Sequence, residues 1–149
     1  MAWIFGMWIE TENSDQAVAI KAYFNHKVID ANGKTYKISA DESGTVTVDG
    51  ISRTGITAQS DAEEMTLIGF EFYQLLKAAP DFRYALTGVE VDEWRTMEEL
   101  EEEPNDILLI PGFVIRSDVY KRLGSPGNLK AFSLTHLWTP YEGEHWSEN

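Results

Sequence analysis

The one cluster of residue types that could support catalysis or bind a metal lies near the end of the chain. It combines two imidazoles, a phenol and two acidic groups, supplied by His136, Tyr141, Glu142, Glu144 and His145. Such nitrogen and oxygen donors can hold a divalent metal ion. The spacing argues against a metal site, because the interval between the two histidines fits no common ligand pattern and neighbouring side chains on an extended chain point in different directions. We therefore expect neither metal nor cofactor, and we expect Trp138 and Trp146 to hold this segment against the core.

Within this cluster, His136 is the best candidate for a catalytic residue. An imidazole acts as a general base when a carboxylate orients it and its pKa lies near neutrality. His136 follows a predicted strand, but a nucleophile such as Ser133 or Thr135 is too near in sequence to share a face with it reliably. The alternative is a histidine at a strand end that bonds to a neighbouring group. An enzyme or small-ligand-binding domain that uses an aromatic-lined pocket with His136 is therefore the second functional hypothesis.

The most unusual charge pattern is an acidic segment at residues 90–106. It holds nine of the twenty-five carboxylates and a single basic residue, Arg95, and so carries −8 of the net charge of −13. Charges this dense repel one another unless water or a cationic partner offsets them. Thr96 and Glu99 form a capping-box pattern, which predicts a short helix through about Glu103. The residues that we expect to face a partner are Trp94, Glu98, Glu99, Glu101, Glu102 and Glu103.

Helix capping explains only part of this acidic segment. Acidic residues near a helix N-terminus interact favourably with the helix dipole, but Glu101, Glu102 and Glu103 lie near the predicted C-terminus, where the same charge is unfavourable. Trp94 either anchors an interface, since tryptophan is enriched at binding hot spots, or folds the segment back on the core. The first functional hypothesis is therefore a protein-binding module (an inhibitor, an immunity-type protein or an adaptor) directed at a cationic partner surface.

The composition argues against several other classes of function. An acidic chain with a pI near 4.5 repels nucleic-acid phosphates, so we expect no nucleic-acid partner. The chain has no cysteine, which excludes disulfides and a cysteine nucleophile. The apolar run at residues 3–9 lacks the basic start and the length of a signal peptide, and no stretch is long enough to span a membrane. We expect a cytoplasmic protein, and a homo-oligomer kept in solution by its acidic surface is a third hypothesis.

The elements that position these residues follow from periodicity and turn signals. A chain of 149 residues predicts one domain. We predict a strand over residues 3–9, a helix capped by Asn13, an antiparallel meander over residues 34–56, and a long helix that begins at Asp61 and ends at Ala79. The long helix has a Ser60–Glu63 capping-box pattern before it and a proline after it.

The rest of the chain predicts short elements. We predict strands over residues 82–91, 107–110 and 129–134, a short helix over residues 118–123, and an irregular C-terminal segment over residues 135–149. Helices separated by short, turn-linked strands predict an α+β fold, with a mostly antiparallel sheet packed by the long helix and the shorter N-terminal helix. The order of the elements resembles a ferredoxin-like plan in part, a likeness that carries no function.

Overall fold

The structure is a computed structural model that describes residues 4–31, 33–91 and 94–146. The helices are α1 (Ser14–Phe24), α2 (Gln59–Lys77), α3 (Met97–Glu102) and α4 (Ser117–Arg122), with a 3-10 helix at Pro104–Leu108. The strands are β1 (Phe5–Glu10), β2 (Val28–Ala31), β3 (Lys34–Ala40), β4 (Thr45–Val48), β5 (Tyr84–Val89), β6 (Val114–Arg116), β7 (Lys130–Ala131) and β8 (His136–Trp138). Trp3 in the first predicted strand, and Asp92 and Glu93 in the acidic segment, lie outside the described residues.

The strands pair into one antiparallel sheet. Across the described residues its order is β2-β3-β4-β1-β5-β6-β8-β7. The central pair is β1 with β5, which runs from Phe5 opposite Val89 to Glu10 opposite Tyr84. This sheet, with the long helix α2 and the shorter helix α1 packed on it, confirms the predicted α+β class.

Each face of the sheet is covered by its own helices. Side chains of β1 alternate, so that Met7 belongs to one buried core with Phe24 of α1 and Phe72 of α2, while Trp8, on the other face, belongs to a second core with Leu100 of α3. The 3-10 helix and α4 complete the second core. A sheet buried on both faces explains why its central strands read as nearly continuous apolar runs.

The long helix predicted from periodicity is present as α2, but it begins two residues before the predicted start. Its first residue is Gln59, and the predicted Ser60–Glu63 capping box does not form. Instead the carboxylate of Asp61 accepts hydrogen bonds of 2.9 Å from both the backbone N–H and the hydroxyl of Thr57. These bonds lower the pKa of Asp61 below its usual range. The carboxylate thus ties the helix start to the loop that precedes it.

Two predicted strands, the end of the predicted meander and the C-terminal segment differ from their predictions. The apolar run at residues 107–110 is not a buried strand, because the 3-10 helix begins at Pro104 and leaves Leu109 60% exposed. Such short runs cannot be assigned from periodicity alone. The last part of the predicted meander, after Val48, is a series of turns, and the strand predicted over residues 129–134 is reduced to β7. The C-terminal segment contains a strand, since β8 pairs with β6 and β7.

The likeness to a ferredoxin-like plan is partial. From β1 to β5 the chain runs strand, helix, three strands, helix, strand. A ferredoxin-like plan has two strands between its helices, so this fold has one more. Three further strands then extend the sheet beyond β5. Among the helices that the structure describes, none combines the length and the apolar character that crossing a membrane requires.

Candidate functional site

A cleft of about 640 Å³ lies where the C-terminal segment passes the end of β5. It is lined by residues 55–57, 87–89, 91, 110–111 and 141–145. Most of the wall is aliphatic, from Ile56, Val89 and Pro111, whereas Glu144 supplies a carboxylate. Its volume lies within the range of about 300–1,000 Å³ that is typical of small-molecule sites. We call this feature the cleft.

One face of α2 holds the C-terminal segment in place. Thr66, Gly69 and Tyr73 follow one another at three- and four-residue steps, so they share a face of the helix. A Cβ atom added at Gly69 would lie only 2.5 Å from the hydroxyl oxygen of Tyr141. The Tyr141 ring therefore packs directly on the helix backbone, with its centroid 5.0 Å from that of Tyr73 and 5.2 Å from that of Phe70.

Tyr141 and Thr66 together fix Glu144. The backbone N–H of Glu144 donates to the hydroxyl oxygen of Thr66 over 2.8 Å, and that hydroxyl donates to the carbonyl of Ala62. The hydroxyl of Tyr141 donates to Oε2 of Glu144. Burial raises the pKa of the Glu144 carboxyl above its usual value, although the bond from Tyr141 opposes that rise. Burial and the nearby carboxylate also raise the pKa of Tyr141. The phenol thus remains a donor at neutral pH.

The second carboxylate oxygen of Glu144 borders the cleft at β5. A Cβ atom added at Gly88 would lie 3.9 Å from Oε1 of Glu144, and both residues line the cleft. Within the described part of the chain, Oε1 has no hydrogen-bond partner. A half-buried carboxylate with one oxygen bonded and one oxygen free is able to accept a hydrogen bond from a ligand.

The floor of the cleft contains a second polar group without a partner. Thr87 is 1% exposed, and its hydroxyl oxygen makes no hydrogen bond to any described residue. Its backbone N–H donates to the hydroxyl of Tyr73 over 3.1 Å, and Tyr73 in turn donates to the carbonyl of Gly112 over 2.7 Å. The two hydrogen bonds of Tyr73 thus run to backbone groups of Thr87 and Gly112. A buried hydroxyl without a partner costs about 1–3 kcal/mol of stability.

The electrostatic character of the cleft is acidic. Among the described residues that line it there is no lysine or arginine, whereas Glu142 and Glu144 both contribute carboxyl groups. Glu142 and His145 are exposed at the rim. Of the cluster named from the sequence, the structure thus brings Tyr141, Glu142, Glu144 and His145 to one site.

His136 lies elsewhere, at the start of β8, which lies between β6 and β7 in the sheet. It is 4% exposed and stacks on Phe82, with ring centroids 4.1 Å apart. Its Nε2 atom is 2.9 Å from the Phe82 carbonyl, which can only accept, so Nε2 carries the proton; Nδ1 lies 2.7 Å from the Thr135 hydroxyl. Burial lowers the pKa of His136, which favours the neutral ring. Both nitrogens thus have partners other than a carboxylate.

The carboxylates near His136 are held by Arg116. Its guanidinium lies 2.6 Å from Asp118, 2.9 Å from Asp81 and 3.3 Å from Glu12. Arg116, Asp81 and Asp118 line a depression of about 610 Å³ that also includes His136. The hydrogen bonds from Arg116 lower the pKa of Asp118. Since the described residues place no carboxylate in hydrogen-bond contact with His136, the arrangement needed for a general base is not observed.

Trp94 is half-buried. It packs against the second core, and the guanidinium carbon of Arg95 lies 3.9 Å above its ring. Arg95 also pairs with Asp106 over 3.1 Å. The alternative role given above, a residue that folds the segment back on the core, matches this geometry.

The glutamates of α3 are exposed, and two of them have partners within the protein. Glu99 completes a capping box with Thr96, as the sequence predicts. Glu101 pairs with Arg122 of α4. The exposed side chains of this surface are Glu98, Glu99, Glu101, Glu102 and Glu103.

Comparisons with known proteins give no relative from which a function could be taken. The chain matches no protein-family model, no curated protein and no solved structure. In the part of the chain that the structure describes, no group of three or more histidine, aspartate or glutamate side chains is arranged to hold a metal ion. The site must therefore be interpreted from its own geometry.

Two residues of the site do not stand out in the sequence as functional. Gly69 lies in the middle of a predicted helix, where glycine costs about 1 kcal/mol relative to alanine, and this cost is the signal that something packs closely there. Thr87 lies in a predicted strand that favours threonine, so its type gives no indication of an unpaired hydroxyl.

Proposed function

We propose that the protein binds a small ligand in the cleft. The observation that carries this proposal is Glu144, a half-buried carboxylate with a raised pKa whose Oε1 atom has no partner among the described residues. Perturbed carboxyl groups in a concave, mostly aliphatic site are typical of binding and catalytic sites. The unpaired hydroxyl of Thr87 in the floor supports the same interpretation, since unsatisfied buried polar groups are uncommon in folded proteins.

A fragment screen with an occluding variant tests this proposal. Ligand-observed NMR would identify fragments that bind the wild-type protein, and Ile56→Trp would place an indole in the cleft. We expect the fragments to lose binding to this variant. Val18→Trp is the matched control, because Val18 is exposed on α1 and lies outside the residues that line the cleft. Fragments that bind both variants equally, with thermal unfolding showing that both are folded, would contradict the proposal.

A second candidate function is a protein-binding module directed at a cationic partner surface. Two exposed leucines, Leu108 and Leu109, support it, because they lie five and six positions after Glu103 in the sequence. Apolar side chains beside charges of one sign provide desolvated contacts and electrostatic steering. In this proposal Glu98, Glu102 and Glu103 steer the partner, and Trp94 contributes stability to the segment.

Salt dependence tests this second candidate. A lysine-rich peptide that also contains leucines should bind the wild-type protein, and Leu109→Ser should weaken that binding at every ionic strength. The triple variant Glu98→Lys, Glu102→Lys, Glu103→Lys should slow association mainly at low salt, because exposed charges separated by more than about 10 Å are screened near 0.1 M salt. Binding that is insensitive to both salt and Leu109→Ser would exclude this surface.

Two further expectations are also proposals. We propose a cytoplasmic location, which cell fractionation would test. A homo-oligomer is the alternative to a heterologous partner, and light scattering at two protein concentrations would distinguish it from a monomer.

A further inference from the structure

We infer that the ligand of the cleft is an amine, with one ammonium group bound by Glu144 and an apolar body held by the aliphatic walls. This inference rests on the proposed function and names the chemical class of its ligand. It follows from three properties of the cleft: its free acceptor, its charge and its walls.

The free acceptor selects for a hydrogen-bond donor. Oε2 of Glu144 already accepts from the hydroxyl of Tyr141, while Oε1 borders Gly88 with no partner among the described residues. A carboxylate that is ionised offers only acceptors, so its complement is an N–H or O–H group. Any hydrogen bond to an ionised carboxylate is stronger than one between neutral groups, and an ammonium adds the attraction of its opposite charge, which favours it over a neutral amide or hydroxyl.

The charge of the cleft excludes anionic ligands. The described residues of its lining include Glu142 and Glu144 but no lysine or arginine. A ligand carboxylate or phosphate would meet two carboxyl groups, with no lysine or arginine and only the imidazole of His145 at the rim to offset them. The net charge of −13 adds a long-range attraction for cations. A bare metal ion does not fit either, because no three ligating side chains of the described residues converge.

The walls require an apolar body. Ile56, Val89 and Pro111 line the cleft, and the ring of Tyr141 forms part of its base. Burying an apolar side of the ligand contributes about 25 cal/mol per Å² removed from water. A polyamine with charges along its whole length would leave most of them without a partner in such walls. The ligand class is therefore an amine with a single cationic end.

Contacts within the fold fix the position of Glu144, unlike that of a freely rotating acidic side chain on the surface. Its backbone N–H is bonded to Thr66, its side chain is bonded to Tyr141, and Tyr141 packs against the backbone of α2 at Gly69. The carboxylate is therefore held in one place before a ligand arrives. A preorganised group loses little conformational entropy on binding.

Titration of the folded protein with three probes of equal length tests the inference: n-hexylamine, n-hexanol and hexanoate. Calorimetry or ligand-observed NMR should show that the amine binds about tenfold or more tightly than the alcohol, and that hexanoate binds least. Glu144→Gln should remove the preference for the amine and leave the affinity for the alcohol nearly unchanged. Glu102→Gln, which makes the same change in net charge on an exposed residue of α3, should behave as wild type.

The possible results separate the two proposals. Equal binding of amine and alcohol, or an amine preference that survives Glu144→Gln, would overturn the amine assignment and leave the ligand site standing. If no probe binds and the fragment screen also finds nothing in the cleft, both proposals fail. Should Glu144→Gln fail to fold, Tyr141→Phe replaces it, because loss of the donor to Oε2 should change the affinity for the amine and not that for the alcohol.

Discussion

Gly69 of α2 and Tyr141 of the C-terminal segment are in direct contact, with no room between them for a single methyl group. A Cβ atom at Gly69 would lie 2.5 Å from the hydroxyl oxygen and 2.7 Å from two carbons of the Tyr141 ring. The contact explains a glycine in the interior of a helix of 19 residues. It also links the long helix to Glu144, since Tyr141 donates to that carboxylate.

Gly69→Ala should destabilise the protein although alanine favours helices. The higher helix propensity of alanine relative to glycine would by itself add about 1 kcal/mol of stability. The new methyl group must displace the Tyr141 ring, and overpacking of this kind costs about 1–3 kcal/mol. Urea unfolding should therefore show a net loss, and the affinity of any cleft ligand should fall as Glu144 moves.

The double variant Gly69→Ala, Tyr141→Leu provides the control for that prediction. Without the ring, the alanine has no atom to displace and should recover its helix preference. A double-mutant cycle should therefore give a favourable coupling between the two substitutions. If Gly69→Ala alone stabilises the protein, the close contact with Tyr141 does not exist.

Glu144→Gln should stabilise the protein at neutral pH. Burial raises the pKa of Glu144 in the folded state above its ordinary value of 4.5. At pH values between the pKa of the unfolded chain and that of the folded protein, the folded protein therefore binds more protons. Stability of the wild type therefore falls as pH rises through the folded pKa. A glutamine carries no charge and still accepts from Tyr141, so the variant should gain on the order of 1 kcal/mol, a size typical of single stabilising substitutions.

The pH profile of that gain identifies its cause. The difference between wild type and Glu144→Gln should vanish at pH values below the unfolded pKa, where both side chains are neutral, and should reach its full size above the folded pKa. Thermal unfolding followed by circular dichroism at several pH values would measure it. A difference that is equally large in acid would show that packing, and not the buried charge, is responsible.

His136 should make the protein sensitive to mild acid. Burial lowers its pKa from 6.5, so the unfolded chain binds the proton first as pH falls. The stability that depends on the neutral ring is complete above pH 6.5 and is lost as pH falls from there through the folded pKa. The free energy of unfolding in urea should decrease over this interval, and His136→Gln should lack that part of the decrease. An NMR titration that places the pKa of His136 at or above 6.5 would contradict this assignment.

Charge reversal at the two ends of α3 should have opposite effects. Glu102 and Glu103 lie at the C-terminal end, where a lysine interacts favourably with the helix dipole, so Glu102→Lys with Glu103→Lys should raise stability by roughly 0.3–1 kcal/mol at low salt. Glu98→Lys in the first turn should lower stability by a similar amount. Unfolding at low and high salt would measure both. Identical signs for the two changes would indicate that the dipole is not the cause.

Local patterns predicted the parts of this fold that depend on near neighbours in sequence. The periodicity of α2, the cap at Asn13 and the capping box of Thr96 with Glu99 each involve residues within a few positions, and the structure has all three. Local patterns alone do not decide the run at residues 107–110, because four apolar residues fit a strand or a turn of helix equally well.

The site could not be predicted in the same way, because its contacts join distant parts of the chain. The sequence identifies Tyr141 and Glu144 as residue types that could support catalysis or bind a metal, but their spacing favours no function. Their environment comes from Gly69 and Thr66 on one helix and Gly88 on one strand, and no local pattern brings these together. His136, which follows a strand signal, instead lies in β8, where it pairs with Arg116 of β6.

Amide chemical-shift mapping during a titration with n-hexylamine tests the central claim most directly. With nitrogen-15-labelled protein, saturable shifts should appear at Thr87, Gly88 and Val89 of β5 and at Gly143 and Glu144 of the C-terminal segment, and they should be absent in Ile56→Trp. Shifts confined to the glutamates of α3, or no saturable shifts at all, would contradict a ligand site in the cleft.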